Sequence, residues 1–173
     1  MDIAGNETTT GLPLEGLRVL DTTDSSGWSA GRLLADLGAD VVFAGAATDF
    51  DEAAFARSLN KRRMVASGDE LLAVTKHFDV WLDTAGNRVD IAAARQENPG
   101  LIVVTISPFG TTGPYAGRVA SDPVLLAMSG ILHRARPPGG QPLLPPGRMA
   151  SEAAGAMAAY LALVSVWRRA TTG

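Results

Sequence analysis

The chain contains no cysteine, so disulfide bonds and thiolate metal ligands are excluded. Only two histidines, His77 and His133, remain as imidazole ligands, and we therefore expect no zinc or iron site. The 15 Lys and Arg residues are outnumbered by 18 Asp and Glu residues, which gives a net charge of −3. Because nucleic acids and anionic lipids attract clustered positive charge, we expect neither as a partner.

Long apolar segments are also scarce. The first eleven residues, MDIAGNETTTG, contain two acids and neither a basic region nor an apolar core, so they do not resemble a signal or transit peptide and we expect a cytoplasmic location. The longest apolar run, residues 153–167, has 15 residues. A bilayer requires about 20 residues. We therefore expect this run to form a buried helix, with no membrane partner.

What remains is enough for one folded domain. The chain has 173 residues, of which 46% are hydrophobic, and this supports a single core more readily than two. Residues 1–12 are polar and lack periodicity, as is typical of a flexible tail. We therefore assign the domain to residues 13–173.

The rest of the chain is organised around residues 17–43. This stretch contains an apolar run ending at Asp21, a Ser/Thr/Gly turn, a helical segment closed by Gly38 and a second apolar run ending at Phe43. That order is typical of a β-α-β unit in a parallel sheet. Ligands of such sheets bind beyond the carboxyl ends of the strands, so the turn at residues 22–28 is the first candidate site.

The alternation of strands and helices continues along the chain. Further strands are predicted at residues 80–82 and 101–106, and helices at residues 49–59, 69–78, 88–96, 123–128 and 151–170. A Gly/Thr/Pro loop follows at residues 109–118. This order favours an α/β fold with a doubly wound, mainly parallel sheet and flanking helices.

Residues 60–63, Asn-Lys-Arg-Arg, form the densest positive cluster in the chain. Such a run is either a solvated loop or an anion-binding site, because three cations suit a phosphorylated ligand. The sequence leaves both interpretations open.

A second motif suggests hydrolase chemistry. Residues 27–31 fit the pattern G-x-S-x-G around Ser29, and Asp122 and His133 follow in the order of an α/β-hydrolase triad. That motif requires its strand to lead directly into the turn. Here five residues separate Asp21 from Gly27, so we do not favour this interpretation.

Several phrases in fixed order resemble the class III CoA-transferases. They are PLEGLRVLD, GRLLADLGADVV, NKR, NPGLIVVTIS, FGTTGPYAGR, DPVLLAMSG and SEAAGAMAAYLALVSVW, and together they cover residues 13–173. The family includes formyl-CoA transferase, carnitine CoA-transferase and the α-methylacyl-CoA racemases. The resemblance implies the N-terminal part of a Rossmann-like large domain that uses CoA or an acyl-CoA as substrate or ligand, with no tightly bound cofactor. It also implies a homo-oligomer or hetero-oligomer, because family members interlock in pairs and continue into a second domain.

The resemblance also assigns the catalytic positions. The family's nucleophilic aspartate lies four residues before the glycine of the Ala-rich helix, a position held here by Ser151. Glu152 is a neighbouring carboxylate, but one step along a helix turns a side chain by about 100°. In the racemases a histidine precedes the aspartate of the block that contains Asp122, and here Ser121 holds that position. Hydroxyl groups are poor bases without a partner, so the resemblance leaves both chemistries doubtful.

The CoA contacts implied by the resemblance are better preserved. They fall at Thr23, Ser26, Gly27, Ala30, Asn60, Lys61, Arg62, Gly110, Gly113 and Tyr115. Two other contact segments of the family are replaced, at residues 44–45 and 84–87. Each lost charge-assisted contact costs about 1.5–3 kcal/mol, so weakened CoA binding is expected.

Three functional hypotheses follow. The first is a CoA or acyl-CoA binding domain whose catalytic aspartate is replaced by Ser151. The second is a non-catalytic subunit that completes a heteromeric transferase or racemase. The third is an active acyl-CoA transferase that uses Glu152. The acyl group is left undetermined.

Overall fold

The computed structural model describes residues 11–44, 55–56, 58–84 and 90–172. Within them, a five-stranded sheet has the order β3-β2-β1-β4-β5, and every neighbouring pair is parallel. The strands are β1 (Arg18–Thr22), β2 (Asp40–Ala44), β3 (Arg62–Met64), β4 (Val80–Thr84) and β5 (Ile102–Ile106). The doubly wound α/β fold is thus confirmed, and the strand order reverses between β1 and β4.

The described helices flank this sheet. They are α1 (Trp28–Asp36), α2 (Asp69–Val74), α3 (Ile91–Glu97), α4 (Asp122–Met128), α5 (Ile131–Arg134) and α6 (Met149–Thr172). The helix predicted over residues 69–78 is divided, because a 3₁₀ turn at Thr75–His77 follows α2. The helix predicted over residues 49–59 lies largely outside the described residues, as do residues 1–10 of the predicted tail and residues 88–89 of the helix predicted over 88–96.

Two apolar layers cover the sheet, one on each face. Val19 of β1 joins the layer that contains Leu34 of α1, while its neighbour Leu20 joins the layer that contains Phe78 and Trp81. Successive side chains of a strand point to opposite faces, so β1 is buried on both sides. Leu12 packs against Gly38, whose positive φ of 101° favours glycine, so ordered packing begins before residue 13.

Helix α6 packs through its small residues. Gly155, Ala158, Ala159 and Ala162 are buried, and α6 contacts both α1 and β5. A Cβ atom at Gly155 would overlap Ser29 Oγ, so the absence of a side chain there sets the distance between α1 and α6. Gly155 and the buried alanines thus allow α6 to pack closely against α1.

The outer face of α6 remains apolar. Tyr160, Val164 and Trp167 are exposed, Trp167 by 68%. The helix has 24 residues and includes an 18-residue stretch with a mean hydropathy of 1.4, so by length and composition alone it could cross a membrane, although 28% of that stretch is buried inside the domain. The helix predicted over residues 151–170 is confirmed with small extensions, but the expectation that the run of residues 153–167 is buried is wrong for most of it, because only its small residues are fully buried. The absence of a membrane partner stays a prediction.

Both ends of α6 are attached to the sheet region. Near its carboxyl end, Arg169 donates to Gly100 O at 2.6 Å and to Asp79 Oδ1 at 2.9 Å, beside the starts of β4 and β5. From this attachment point α6 runs along β5 toward the opposite edge of the sheet. Its first turn is therefore held near the carboxyl ends of the strands.

Candidate functional site

The carboxyl ends of β1 and β4 are joined by buried polar side chains. Thr22 Oγ1 lies 3.0 Å from Asp83 Oδ1, and Trp81 Nε1 donates to the same Thr22 oxygen at 2.9 Å. Buried polar groups require such partners. This network fixes the ends of the two strands where the sheet order reverses, which is where doubly wound sheets bind ligands.

The turn after β1 is stabilised by two aspartates. Asp21 accepts from Thr23 N at 3.0 Å and from Thr23 Oγ1 at 2.7 Å. Asp24 accepts from Ser26 N at 2.7 Å and from Ser26 Oγ at 2.5 Å. These local bonds shape the turn in the way Asx turns do. Thr23 is buried and its hydroxyl is occupied, whereas Ser26 remains partly exposed at the rim.

Gly27 and Ala30, at the start of α1, pack inside the domain. A Cβ atom at Gly27 would lie 2.5 Å from Ile106 Cδ1, and Ala30 is completely buried. The missing side chain of Gly27 leaves room for Ile106 of β5, and Ala30 lies where α1 meets Gly155 of α6. The structure thus shows them as packing residues, and the predicted CoA contacts of Thr23, Gly27 and Ala30 stay predictions.

The side chain of Lys61 is fully buried. Its ammonium lies 2.6 Å from Asp21 Oδ2, donates to Trp28 O at 3.1 Å and lies 5.8 Å from the centroid of the Phe43 ring. The side chains of Lys61 and Asp21 both have 0% exposure. A phosphate cannot reach this ammonium in the described conformation, so its evident role is to link β1 to the segment before β3.

The other two residues of the predicted anion site also have internal partners. Arg62 donates to both carboxylate oxygens of Asp40, at 2.8 and 2.6 Å, near the start of β2 rather than its carboxyl end. Asn60 donates to Asp36 Oδ1 at 2.6 Å. The structure therefore does not bring Asn60, Lys61 and Arg62 together as a phosphate cluster. The sequence spacing of these three residues could not reveal that each of them bonds to an aspartate, namely Asp36, Asp21 and Asp40.

Asp36 shows the electrostatic effect of this arrangement. Burial raises the pKa of its carboxyl group, but hydrogen bonds from Asn60 and Arg32 and the nearby positive charges outweigh burial and hold the pKa below its usual value. Asn60 adopts a left-handed backbone with φ of 59°, a conformation that asparagine tolerates. Asn60 therefore acts as the corner that turns the chain into β3.

Ser151 lies in the first turn of α6 and bonds to Asp122 of α4. Ser151 Oγ donates to Asp122 Oδ1 at 2.5 Å, while Ala150 N and Ser151 N donate to Asp122 Oδ2 at 2.8 and 3.2 Å. Burial raises the pKa of Asp122, but these three hydrogen bonds and the charge of Arg148 outweigh it and hold the pKa below its usual value. Asp122 thus caps α6 from a different helix.

Glu152 follows Ser151 but faces solvent. Ser151 is 4% exposed, whereas Glu152 lies on the exposed side of α6. Because α6 begins at Met149, both residues are helical and their side chains diverge by about 100°. The structure brings Ser151 and Asp122 together and leaves Glu152 apart from them.

Arg148 connects the two candidate regions. Its guanidinium donates to Ser25 Oγ at 2.9 Å across 123 residues of sequence, which joins the turn after β1 to the start of α6. The predicted turn and position 151 therefore lie side by side. No sequence pattern pointed to Arg148, because this residue precedes the helix within a Pro/Gly-rich stretch.

The loop after β5 forms another side of this region. Gly110 and Gly113 have φ of 82° and 95°, a backbone that L-residues with side chains rarely adopt. Tyr115 is 46% exposed, its ring centroid lies 5.6 Å from that of Phe109, and the Arg118 guanidinium lies 5.0 Å from its ring. The loop thus presents an aromatic and cationic surface, and its CoA contacts stay predictions.

The hydrolase interpretation finds no geometric support. Ser29 is 8% exposed, and its hydroxyl has no hydrogen-bond partner among the described residues. His133 lies on the exposed side of α5, while Asp122 is bonded to Ser151. The three residues of the G-x-S-x-G hypothesis are therefore not arranged as a triad.

A cavity of about 430 Å³ lies between α4, α5, the start of α6 and the residues after β5. The sequence analysis did not predict this cavity, because its apolar residues come from separate short segments whose packing a single sequence does not show.

Within the described part of the chain, no group of three or more His, Asp or Glu side chains could hold a metal ion.

A doubly wound domain with polar residues at the strand-order reversal is an architecture that binds ligands, nucleotide cofactors among them, at that edge of the sheet. Comparison with known proteins defines it further: residues 83–173 match CoA-transferase family III, and the chain belongs to that family.

Two curated relatives and one solved structure are similar to most of this chain. Probable CoA-transferase Rv1866 of Mycobacterium tuberculosis is 33% identical, over 90% of this chain and 23% of its own length. Formyl-CoA:oxalate CoA-transferase of Streptomyces avermitilis is 32% identical, over 92% of this chain and 45% of its own length. The crystal structure of Rv3272 from M. tuberculosis superposes with a TM-score of 0.80 at 26% identity, over 94% of this chain and 52% of that one. The chain thus spans less than half the length of these two curated relatives.

Proposed function

We propose that this chain binds CoA or an acyl-CoA thioester at the carboxyl edge of its sheet, without forming an acyl-enzyme at position 151. The hydrogen bond between Arg148 and Ser25 carries this proposal, because it places the turn after β1 beside the Ser151–Asp122 pair. Membership of CoA-transferase family III supports a CoA thioester as the ligand class.

The residue at position 151 argues against covalent transfer. A transferase that proceeds through a mixed anhydride needs a carboxylate nucleophile, and serine has none. The Ser151 hydroxyl donates to Asp122, whose pKa lies below its usual value, so Asp122 is a weak base for activating it. The pair therefore serves as a fixed polar end of α6.

Glu152 is a less favoured nucleophile. Its side chain lies on the solvent side of α6, whereas the groups that define the site lie on the Ser151 side. An active transferase would need the first turn of α6 to rotate by about 100°, which would break the hydrogen bonds from Ala150 and Ser151 to Asp122.

Affinity for the ligand's phosphates is expected to be modest. Lys61 and Arg62 are paired with Asp21 and Asp40, so their charges are largely compensated within the domain. Arg148 at the site and Arg118 on the loop after β5 are the cations that the proposal assigns to the phosphates. We expect dissociation constants near the millimolar range, about 4 kcal/mol of binding free energy.

A second candidate function is a non-catalytic subunit. The exposed apolar face of α6, which includes Tyr160, Val164 and Trp167, favours it, because exposed apolar patches commonly mark protein interfaces. The partner would then supply the nucleophile. Sedimentation of the chain alone tests this: self-association or aggregation through that face supports it, and a monomer at all concentrations opposes it.

Isothermal titration with CoA and acetyl-CoA up to millimolar concentrations tests the main proposal. We expect heat of binding with both, an affinity several-fold lower in Arg148→Ala, and no change in Arg134→Ala, an exposed arginine on α5. No heat with either ligand would reject the proposal. Mass spectrometry after acyl-CoA and hydroxylamine should show Glu152 and Ser151 unmodified, whereas modified Glu152 would establish an active transferase.

A further inference from the structure

We propose that the cavity between α4, α5 and α6 binds the apolar acyl chain of a CoA thioester. This inference rests on the proposed function and specifies its substrate class from the residues of this chain. The acyl chain would be aliphatic rather than a short acid or a dicarboxylate.

The walls of the cavity are almost entirely carbon. The residues that define it chemically are Phe109, Leu125, Leu126, Met128, Ile131 and Met149. No charged side chain lines it, and the Ser129 hydroxyl donates to Leu126 O at 3.0 Å. A terminal carboxylate would therefore enter without a partner, which is unfavourable, whereas methylene groups would be desolvated favourably.

The cavity has the size of a small-molecule site. Its volume of about 430 Å³ falls within the range of about 300–1,000 Å³ typical of ligand pockets. The rim of the cavity is open to solvent, and Met128, Met149 and Ile131 there are 55%, 44% and 40% exposed. Methionine side chains adapt to different shapes, so the entrance can accommodate chains of different length.

The cavity is continuous with the Ser151–Asp122 pair. Met149 and Ala150 both line it, and Ala150 N donates to Asp122 immediately before Ser151. Pro108 and Phe109 complete it where β5 leads into the loop that carries Gly110. A thioester beside Ser151 would therefore have its acyl group at the mouth of the cavity.

This position distinguishes the cavity from the outer face of α6. Ala153 lines the cavity, whereas Trp167 lies 14 residues further along the helix, about 21 Å away. A protein that covers Trp167 need not fill the cavity. Continuity with the site thus favours an acyl chain over a polypeptide.

The test compares CoA, acetyl-CoA, hexanoyl-CoA, octanoyl-CoA and succinyl-CoA by isothermal titration. We expect affinity to rise about fourfold for each methylene group that enters the cavity, the factor that corresponds to about 0.8 kcal/mol. Succinyl-CoA should gain nothing over acetyl-CoA. In Ala153→Phe, whose ring would fill the cavity, octanoyl-CoA should bind no more tightly than acetyl-CoA. Ala156→Phe is the matched control, because Ala156 is exposed on the same helix and does not line the cavity; it should keep the dependence on chain length.

Other outcomes separate this inference from the proposed function. If CoA and acetyl-CoA bind but octanoyl-CoA gains nothing, the inference is wrong and the proposed function stands. If CoA does not bind but octanoyl-CoA and free decanoate do, with both lost in Ala153→Phe, the cavity is supported and CoA recognition is rejected. If none of these ligands binds, both fail. If Ala153→Phe instead abolishes self-association, the cavity is an interface between copies and the inference is overturned.

Discussion

The Lys61 ammonium lies 2.6 Å from the Asp21 carboxylate, and neither side chain is exposed to solvent. Asp21 ends the first strand of the β-α-β unit, and Lys61 directly precedes β3. Gly31 of α1 lies against the pair, and a Cβ atom there would lie 3.0 Å from Lys61 Nζ. A residue predicted to bind phosphate thus joins three elements of the core.

Replacement of Lys61 by methionine tests the structural role of the pair. Loss of one partner leaves the Asp21 carboxylate buried without its counter-charge, so Lys61→Met should lower the free energy of unfolding by about 3–5 kcal/mol. Urea denaturation measures this. Lys76→Met, an exposed lysine, should change it by less than about 0.5 kcal/mol. Unchanged stability with lost CoA affinity would show instead that Lys61 reaches the ligand.

Gly31→Ala tests the Lys61–Asp21 pair through α1, the helix that packs against it. The new methyl group would overlap Asp21 Oδ2 and force the carboxylate away from Lys61. We expect a loss of about 3 kcal/mol in unfolding free energy. Gly100→Ala is the control, since its nearest neighbours would lie 3.6 and 3.9 Å from the added Cβ. Equal effects of the two substitutions in chemical denaturation would contradict this packing.

Ser29→Ala should stabilise the protein. The Ser29 hydroxyl is buried without a hydrogen-bond partner, so its removal should add about 1 kcal/mol to the unfolding free energy. Gly155→Ala alone should destabilise by about 1–3 kcal/mol, because its methyl group would overlap that hydroxyl. In the Ser29→Ala background the cost should fall. A thermal-denaturation double-mutant cycle measures the coupling, and strict additivity would refute the contact.

Asp122→Asn should alter the response to acid. The folded-state pKa of Asp122 is below its usual value of 3.8, so its charged form stabilises the fold above that pH, and this contribution is lost as pH falls through the folded-state pKa. The variant should lose about 1–2 kcal/mol at pH 6 through the weakened cap. The difference between the two proteins in urea denaturation should shrink toward pH 2.5. A constant difference would mean that Asp122 does not act through its charge.

Ser151→Asp should have the opposite pH dependence. A second carboxylate beside Asp122 would raise the pKa of one of the pair, so the variant should be less stable than wild type at pH 7 and recover as pH falls through the raised pKa. Ser151→Asn, which is neutral and can still donate to Asp122, serves as the control. The measurement is the urea midpoint of each variant at pH 7 and pH 5. If Ser151→Asp is as stable as Ser151→Asn at both values, the carboxylates at positions 151 and 122 do not interact.

The fold was predictable because its signals are local. The apolar run at residues 101–106 predicted β5, and the strand predicted at residues 80–82 and the apolar run ending at Asp21 appear in the structure as β4 and β1 with small changes of bounds. The Ala-rich segment at residues 151–170 predicted α6, which the structure extends by two residues at each end. The parallel direction of the strands also follows from the alternation, because a helix between two strands provides the crossover that parallel pairing requires.

The site was less predictable because its partners are distant in sequence. Asp21 and Lys61 are 40 residues apart, and Arg148 and Ser25 are 123 apart. The sequence of a cation cluster does not distinguish whether its side chains face solvent, a phosphate or a buried carboxylate. The cavity likewise depends on how α4 and α5 pack onto α6, which no periodicity within one segment encodes.

Helix α6 also determines how the site can move. Its 24 residues span about 36 Å, with Arg169 bonded at the amino edge of the sheet and Ser151 at the other end. The Arg169 contacts cannot hold the distant first turn, which is held instead by Asp122, because that carboxylate accepts hydrogen bonds from Ala150 N, Ser151 N and Ser151 Oγ. Helix termini open more readily than helix centres, so fraying of this turn has to break those three bonds and would separate Ser151 from Asp122 without unfolding the rest of α6.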